Sequence, residues 1–81
     1  METKIALIGI IVHDTKDTEK LNHLLHNYQQ YIVGRMGIPY SQKDVNIISV
    51  VLDAPENIIS SLSGKLGMLK GITVKSMIAK R

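Results

Sequence analysis

Two apolar runs stand out along the chain, and each has the composition of a β-strand that is hydrophobic on both faces. The first covers Thr3 to Val12, with no polar residue after Lys4. The second covers Val45 to Leu52, which only Asn46 and Ser49 interrupt. Runs of this length, rich in Ile and Val, are typical of strands that need cover on both sides. We therefore expect these two strands at the centre of a sheet.

After the first strand and a polar junction, the apolar residues recur with the period of a helix. Asp14, Thr15 and Asp17 in this junction can accept hydrogen bonds from the free amides at a helix start. The apolar residues beyond it recur at i, i+3, i+4 and i+7, which places them on one helix face. They are Leu21, Leu24, Leu25 and Tyr28.

A second helix is predicted from the segment that follows the second apolar run. Asp53, Pro55 and Glu56 combine a capping residue, a proline in the first turn and an acid favoured by the helix dipole. The buried face of this helix consists of Ile58, Ile59, Leu62 and Leu66. A last strand follows over Ile72 to Ala79, in which Ile72, Val74, Ser76 and Ile78 face one way and Thr73, Lys75 and Met77 the other.

The stretch between the first helix and the second apolar run predicts a weaker strand, Tyr31 to Tyr40, and a polar turn, Ser41 to Asp44. Proline cannot donate to a strand ladder, so Pro39 indicates an edge strand. Simple alternation assigns Ile32, Gly34, Met36 and Ile38 to one side and Val33 and Arg35 to the other.

The resulting β-α-β-β-α-β order predicts an α+β protein with a ferredoxin-like sandwich. Because crossovers between parallel strands are right-handed, two βαβ units around a hairpin assemble in few ways. We expect an antiparallel four-stranded sheet in the order 4-1-3-2 with two helices on one face. The other face is then apolar and without cover, which predicts that a second subunit covers it in a homodimer or homotetramer.

Composition narrows the classes of protein to which the chain can belong. With 81 residues, it is expected to form a single domain over residues 1–81. It contains no cysteine, which excludes disulfides, thiolate metal sites and a cysteine nucleophile. The apolar N-terminal run is shorter than the roughly 20 residues that span a bilayer, and no signal-peptide cleavage site follows it. We expect a soluble, cytoplasmic protein that does not associate with membranes.

Candidate ligand-binding residues occur in two places. His13 and Asp14 lie at the junction between the first strand and the first helix, and loops at strand ends often carry function. Arg35 lies between Gly34 and Gly37 in the edge strand and could hold a carboxylate or phosphate with two hydrogen bonds. An ion pair across a subunit interface, or a charge that protects an exposed edge, is an equally good explanation of Arg35.

No pattern in the sequence indicates an enzyme or a cofactor. The chain lacks a nucleophile elbow, a phosphate-binding glycine loop, an HExxH motif and a carboxylate pair placed for acid–base catalysis. His23 and His26 have a spacing that metal ligands use, but no third ligand accompanies them and they fall on the polar side of the helix. RNA-recognition domains of this topology need aromatic residues on the central strands, and this chain has neither Phe nor Trp.

Several segments together carry a resemblance to a known family. The chain resembles the small iron-only hydrogenase system regulators, which belong to a wider ACT-like group that includes the C-terminal domain of the nickel-responsive repressor. The resemblance covers nearly the whole chain and is carried by KIALIGIIV, IVGRMGIPY, VNIISVVLDAP and SGKLGMLKGITVK. It implies a regulatory domain that assembles through its sheets and can hold a small effector at a subunit interface.

The chain departs from the wider group in three respects. Thr15, Lys16 and Asp17 replace the proline and glycine that follow the acidic residue of many amino-acid-binding ACT domains. The second strand, Tyr31 to Tyr40, lacks the histidines and cysteine with which the nickel-responsive repressor binds its metal. That repressor binds DNA through a separate N-terminal ribbon-helix-helix, for which this chain has no residues to spare.

Three functions remain open from the sequence. The first is a non-enzymatic regulator of the iron-only hydrogenase system, acting on transcription or on a protein partner. The second is a structural or protein-interaction subunit for a hydrogenase maturation enzyme, without a ligand. The third, which is disfavoured, is direct DNA binding through the late basic residues Lys65, Lys70, Lys75, Lys80 and Arg81.

Overall fold

The computed structural model describes residues 2–80 and has the expected element order. Short 3₁₀ turns at Thr15–Asp17, Gln29–Tyr31 and Ser41–Lys43 separate some of the elements. The strands and helices are β1 (Lys4–Val12), α1 (Thr18–Asn27), β2 (Ile32–Tyr40), β3 (Val45–Ala54), α2 (Glu56–Gly67) and β4 (Ile72–Ile78).

The four strands form one antiparallel sheet in the order β2-β3-β1-β4. This is the predicted order, 4-1-3-2. The two apolar runs are the central strands β1 and β3, which pair along their whole length from Lys4 opposite Ala54 to Val12 opposite Asn46. The predicted edge position of the strand that contains Pro39 is also confirmed.

The hydrophobic core lies between one face of this sheet and the two helices. Alternate residues of β1 and β3 are buried there, together with the inner faces of α1 and α2. Burial of apolar surface at roughly 25 cal/mol per Å² is the main favourable term that holds the layers together. The core residues are Ala6, Ile8, Ile10, Val12, Leu21, Leu25, Ile48, Val50, Leu52, Ala54, Ile59, Leu62 and Leu66.

The faces of β2 differ from the simple alternation because the strand contains a β-bulge. Ile32 lies opposite Leu52 and Gly34 opposite Val51, so Val33 is an extra residue without a partner. A bulge reverses the alternation that the period of two predicts. The expectation that Ile32 shares a face with Gly34 was therefore wrong, and Ile32 packs against the core. Arg35, opposite Val50, lies on the helix side of the sheet.

Of the two acidic residues expected to cap the start of α1, one caps a short turn and the other binds a residue distant in sequence. Asp14 caps the 3₁₀ turn, since its Oδ1 accepts a hydrogen bond from the amide of Lys16 at 2.9 Å. Asp17 does not cap α1. Its Oδ2 accepts a hydrogen bond from the amide of Lys70 at 2.8 Å, which joins the start of α1 to the turn before β4.

Asp53, the expected capping residue of α2, does not cap that helix. β3 continues through Ala54, and Pro55 is the N-cap residue, without a side-chain cap. The Lys4 ammonium lies 2.9 Å from Glu56 Oε1 and ties β1 to the first turn of α2. The hydrogen bond and the charge of Glu56 raise the pKa of Lys4 above its usual value.

Gly71 closes the junction between β1 and β4. Its carbonyl accepts hydrogen bonds from the amides of His13 at 2.7 Å and Asp14 at 3.2 Å. Its φ is +71°, a conformation that residues with a side chain rarely adopt, and a Cβ at this position would lie 2.5 Å from the Cβ of Asp14. The residue that positions the His13–Asp14 loop is therefore a glycine for two separate reasons.

Gly71→Ala is expected to lower the free energy of unfolding by about 2–4 kcal/mol, through backbone strain and the clash with Asp14. Gly64→Ala is the matched control, because Gly64 lies inside α2 with open space around the position that a Cβ would occupy. That variant is expected to gain about 0.5–1 kcal/mol from helix propensity. Urea unfolding of both variants measures the difference, and equal stabilities would contradict the role of Gly71.

Candidate functional site

The face of the sheet turned away from the helices is apolar and exposed, and we term it the open face. All four strands contribute to it, and its two charged strand residues are Lys75 and Asp53. Its large apolar residues are between 36% and 64% exposed. They are Ile5, Leu7, Ile11, Met36, Ile38, Tyr40, Ile47 and Met77.

The open face is large for a single small domain. A large apolar residue presents on the order of 200 Å² when fully exposed, so these side chains together expose on the order of 700 Å². The largest apolar patch of a typical monomer is about 300–600 Å². A standard protein–protein interface buries about 800 Å² on each partner. The open face is thus comparable in area to one side of a stable interface.

A second feature lies on the helix side of the sheet, between α1 and the edge strand β2. This hollow of about 260 Å³, which we term the side groove, exists partly because Gly37 carries no side chain there. Across its rim the Arg35 Nη2 donates a hydrogen bond to Asn22 Oδ1 at 3.0 Å. Its walls include Val12, Thr18, Leu21, Ile38, Pro39, Asn46, Ile47 and Ile48.

Polar groups with unused hydrogen-bonding capacity gather at the side groove. A guanidinium has five N–H donors, and the Asn22 bond uses one of them. Within residues 2–80, no carboxylate lies close enough to Arg35 to form an ion pair. The hydroxyl of Thr18 is buried and has no hydrogen-bond partner in the described part of the chain. The side groove therefore offers donors for an anionic group.

A third feature, the end hollow, adjoins the side groove at one end of the sheet and has a volume of about 470 Å³. His13, Asp14 and Thr15 line it from one side, and the β2–β3 turn with Tyr40, Ser41 and Asp44 lines it from the other. The Nε2 of His13 lies 2.8 Å from the Oγ1 of Thr73, which fixes its ring. Val12, Pro39 and Asn46 border both the end hollow and the side groove.

The five residues predicted to bind a ligand do not form one cluster. His13 and Asp14 line the end hollow, whereas Arg35 and Gly37 line the side groove. Gly34 lies opposite Val51 on the open face and lines neither hollow. Binding by these residues stays a prediction, and the structure divides it between two adjacent hollows.

Sequence reasoning missed Thr18, Asn22 and Asn46 as residues of these hollows. Asn22 lies four positions after Thr18 on α1, and both residues border the buried face of this helix at Leu21. This i, i+4 spacing of hydrogen-bonding side chains was the signal that could have identified them. Asn46 is one of the two polar residues that interrupt the β3 run, and its pairing with Val12 and Pro39 puts it on the helix side.

The remaining candidate chemistry is dispersed over the surface. Within residues 2–80, no group of three or more His, Cys, Asp or Glu residues is placed to hold a metal ion. The late lysines also separate, since Lys65 lies on α2 beside Tyr28 and Lys75 lies on the open face. Of the helices that the structure describes, none combines the length and apolar character needed to cross a membrane.

One tyrosine outside the hollows has an altered acidity. The Tyr28 hydroxyl lies 3.0 Å from Ser61 Oγ and accepts a hydrogen bond from Lys65 Nζ at 3.1 Å, which joins α1 to α2. These two hydrogen bonds, Ser61 first, lower the pKa of Tyr28 from its usual value of 10.0. Since this cluster borders neither the side groove nor the end hollow, its evident role is to hold the two helices together.

Comparison with known proteins gives one family. Residues 4–76 match the family described as "TM1266-like: Iron-only hydrogenase system regulator, putative". Among solved structures, the chain is similar to "uncharacterized protein TM1266 from Thermotoga maritima", with 35% identity and a TM-score of 0.92 over 98% of this chain and 100% of that one. No protein with a curated description matches the chain.

Two more distant structures share the fold alone. The C-terminal domain of the MgtC protein from Mycobacterium tuberculosis is 13% identical, with a TM-score of 0.72 over 98% of this chain and 90% of that one. A formyltetrahydrofolate deformylase from Pseudomonas putida is 11% identical, with a TM-score of 0.66 over 95% of this chain and 29% of that one. At such identities the likeness carries no information about function.

The acidity of Tyr28 can be tested by alkaline titration of phenolate absorbance. The difference between the curves of the parent protein and Tyr28→Phe reports Tyr28 alone, and its midpoint is expected below pH 10.0. Lys65→Met removes one of the two hydrogen bonds and a nearby positive charge, so the midpoint is expected to rise in that background. A midpoint that does not respond to Lys65→Met would show that the Lys65 contact is absent in solution.

Proposed function

Because the chain belongs to the TM1266-like family of iron-only hydrogenase system regulators, we propose that it is a cytoplasmic, non-enzymatic regulatory module that works as a homo-oligomer. Its subunits associate through the open face, and a small-molecule effector modulates the assembly. The exposed area and apolar character of the open face are the observation that carries this proposal.

A second copy of the chain is the occupant that suits the open face best. Two twisted sheets of the same hand can stack with an angle of about 30° and a separation of about 10 Å, burying both faces. An isologous contact of this kind pairs each surface with itself, so the two apolar areas match in size. The contact buries on the order of 700 Å² on each subunit, which is comparable to the area of a standard interface.

The apolar character of the open face also extends over its full width. Ile11 and Ile47 occupy the central strands, while Met36 on β2 and Met77 on β4 are 59% and 64% exposed at the two edges. A partner that covered only one strand would leave most of this surface in water. A flat partner as wide as the sheet itself is therefore favoured.

The polar groups of the hollows support binding rather than catalysis. Arg35, Asn22, Asn46 and Tyr40 offer hydrogen bonds and a positive charge, which recognise a ligand without transforming it. Lys4 and Tyr28, whose pKa values are shifted, lie outside both hollows. These features agree with a regulatory role.

Analytical ultracentrifugation tests the assembly. The parent protein is expected to sediment at micromolar concentration as a dimer or tetramer of its 9.0 kDa chain. Leu7→Lys places a charge in the open face, which must be desolvated on association, and is expected to weaken self-association at least about 100-fold. Met68→Lys is the matched control, because Met68 is 84% exposed at the end of α2, away from the sheet.

Circular dichroism establishes that each variant is folded, and the milder Met36→Gln gives a second measurement on the same face. A parent protein that is monomeric at micromolar concentration would overturn the homo-oligomer. The open face would then favour the second candidate function, an interaction subunit for a hydrogenase maturation enzyme. Co-purification of such an enzyme from the native host would support that alternative.

The effector is tested separately by thermal unfolding in the presence of small metabolites. A ligand that binds only the folded protein raises the melting temperature by mass action, and at about 100 times its Kd it contributes about 2.7 kcal/mol. We expect at least one compound in a broad panel of amino acids, organic acids and nucleotides to give such a shift. A complete panel without any shift would contradict a small-molecule effector.

A further inference from the structure

We propose that the side groove binds a small organic anion, whose carboxylate or phosphate group is held by Arg35 and Asn22. The inference rests on the proposed function, because it names the chemical class of the effector. It differs from the sequence-based expectation in placing the ligand inside one subunit, on the helix side of the sheet, rather than between subunits.

Arg35 is the group that selects an anion. Its Nη2 donates to Asn22 Oδ1, and this contact holds the guanidinium across the groove rim with other N–H donors unused. The Asn22 side-chain amide adds N–H donors beside them. Planar, two-point recognition of carboxylate and phosphate is the characteristic use of arginine. Within residues 2–80 no carboxylate competes as an ion-pair partner of Arg35.

The remainder of the groove suits a short apolar body. Val12, Leu21 and Ile48 are buried core residues that also line the groove, so its inner wall is hydrophobic. No heavy atom lies within 4 Å of the position that a Cβ of Gly37 would occupy, which leaves room beside β2. A volume of about 260 Å³ lies below the range of roughly 300–1,000 Å³ for drug-sized ligands, so the ligand is small.

Thr18 contributes a hydroxyl group to the wall of the groove. Its Oγ1 is buried and has no hydrogen-bond partner among residues 2–80. Buried hydroxyl groups are normally paired, and an exception calls for an explanation such as a bound molecule. Threonine in a helix uses two rotamers, so the hydroxyl can turn toward a ligand in the groove.

The position of the groove links its occupancy to subunit association. Arg35 and Gly37 face the groove, Met36 between them faces the opposite way onto the open face, and Ile38 borders both surfaces. A ligand behind this edge strand therefore fixes the strand that carries part of the subunit contact. Because coupling between two sites is reciprocal, assembly and ligand affinity should change each other by the same factor.

Isothermal titration calorimetry with four defined probes tests the site. Hexanoate and hexyl phosphate present the two kinds of head group on apolar chains of five and six carbons, while acetate carries only a methyl group and inorganic phosphate no carbon. We expect one of the six-carbon anions to bind at one site per chain, at least about 10-fold more tightly than its head group alone. The comparison of hexanoate with hexyl phosphate identifies the preferred head group.

Two variants and one control locate the binding. Arg35→Gln is expected to weaken the preferred anion at least about 10-fold, through loss of the charged hydrogen bonds. Gly37→Leu is expected to weaken the six-carbon probes by filling the groove. Lys43→Gln removes the same charge from the β2–β3 turn, outside the side groove, and is expected to change affinity less than about two-fold.

Equal weakening by Lys43→Gln and Arg35→Gln would overturn the site and indicate general attraction between charges. The absence of binding by all four probes up to about 10 mM would overturn it as well. Sedimentation of the ligand-free protein separates these outcomes from the proposed function. An oligomer that binds no probe would refute the groove alone, whereas a monomer that binds one would refute the homo-oligomer alone.

Discussion

The structure depends on one constraint: the central strands β1 and β3 are apolar on both faces, whereas the two helices cover only one face. The covered set, which includes Ile8, Ile10 and Val50, forms the core and accounts for the stacking of helices on the sheet. The other set is built from the same kinds of residue and forms the open face. A domain of this size with so much apolar surface in water would lose part of the benefit of its own hydrophobic collapse. The proposed self-association follows from this imbalance.

The edge strand β2 contributes residues to both the open face and the side groove. Beyond the bulge at Val33, successive residues alternate between the open face and the side groove, so a single strand serves both surfaces. Within residues 2–80 Arg35 has no acidic partner, and Gly37 leaves open space beside it. The most distinctive residues of the chain thus occur where the packing of the two layers is least complete.

Much of the fold could be predicted because it is encoded in local patterns. The apolar runs identified β1 and β3, the helical period identified the buried face of α1, and the crossover rule then fixed the strand order. The position of Ile32 could not be predicted in this way, because a bulge is decided by pairing with β3 and not by the sequence of β2 alone. Asp17 was taken for a helix cap because its true partner, the amide of Lys70, is distant in sequence. Arg35 was identified as a candidate, but Asn22 was not: its i, i+4 spacing from Thr18 marks a polar edge of α1, and only the tertiary placement of α1 brings that edge to Arg35.

The methionines of the open face have a mechanical consequence. Its two central strands carry β-branched residues such as Ile5, Ile11 and Ile47 around the small pair Gly9 and Ser49, and the β-branched side chains are stiff. Its two margins carry Met36 and Met77, whose unbranched thioethers adjust to irregular surfaces. A partner sheet would therefore contact rigid central strands that fix its orientation and flexible margins that fill the space around them. Such a surface tolerates a small rocking of one layer against the other, which is the kind of motion that a ligand bound behind β2 could bias.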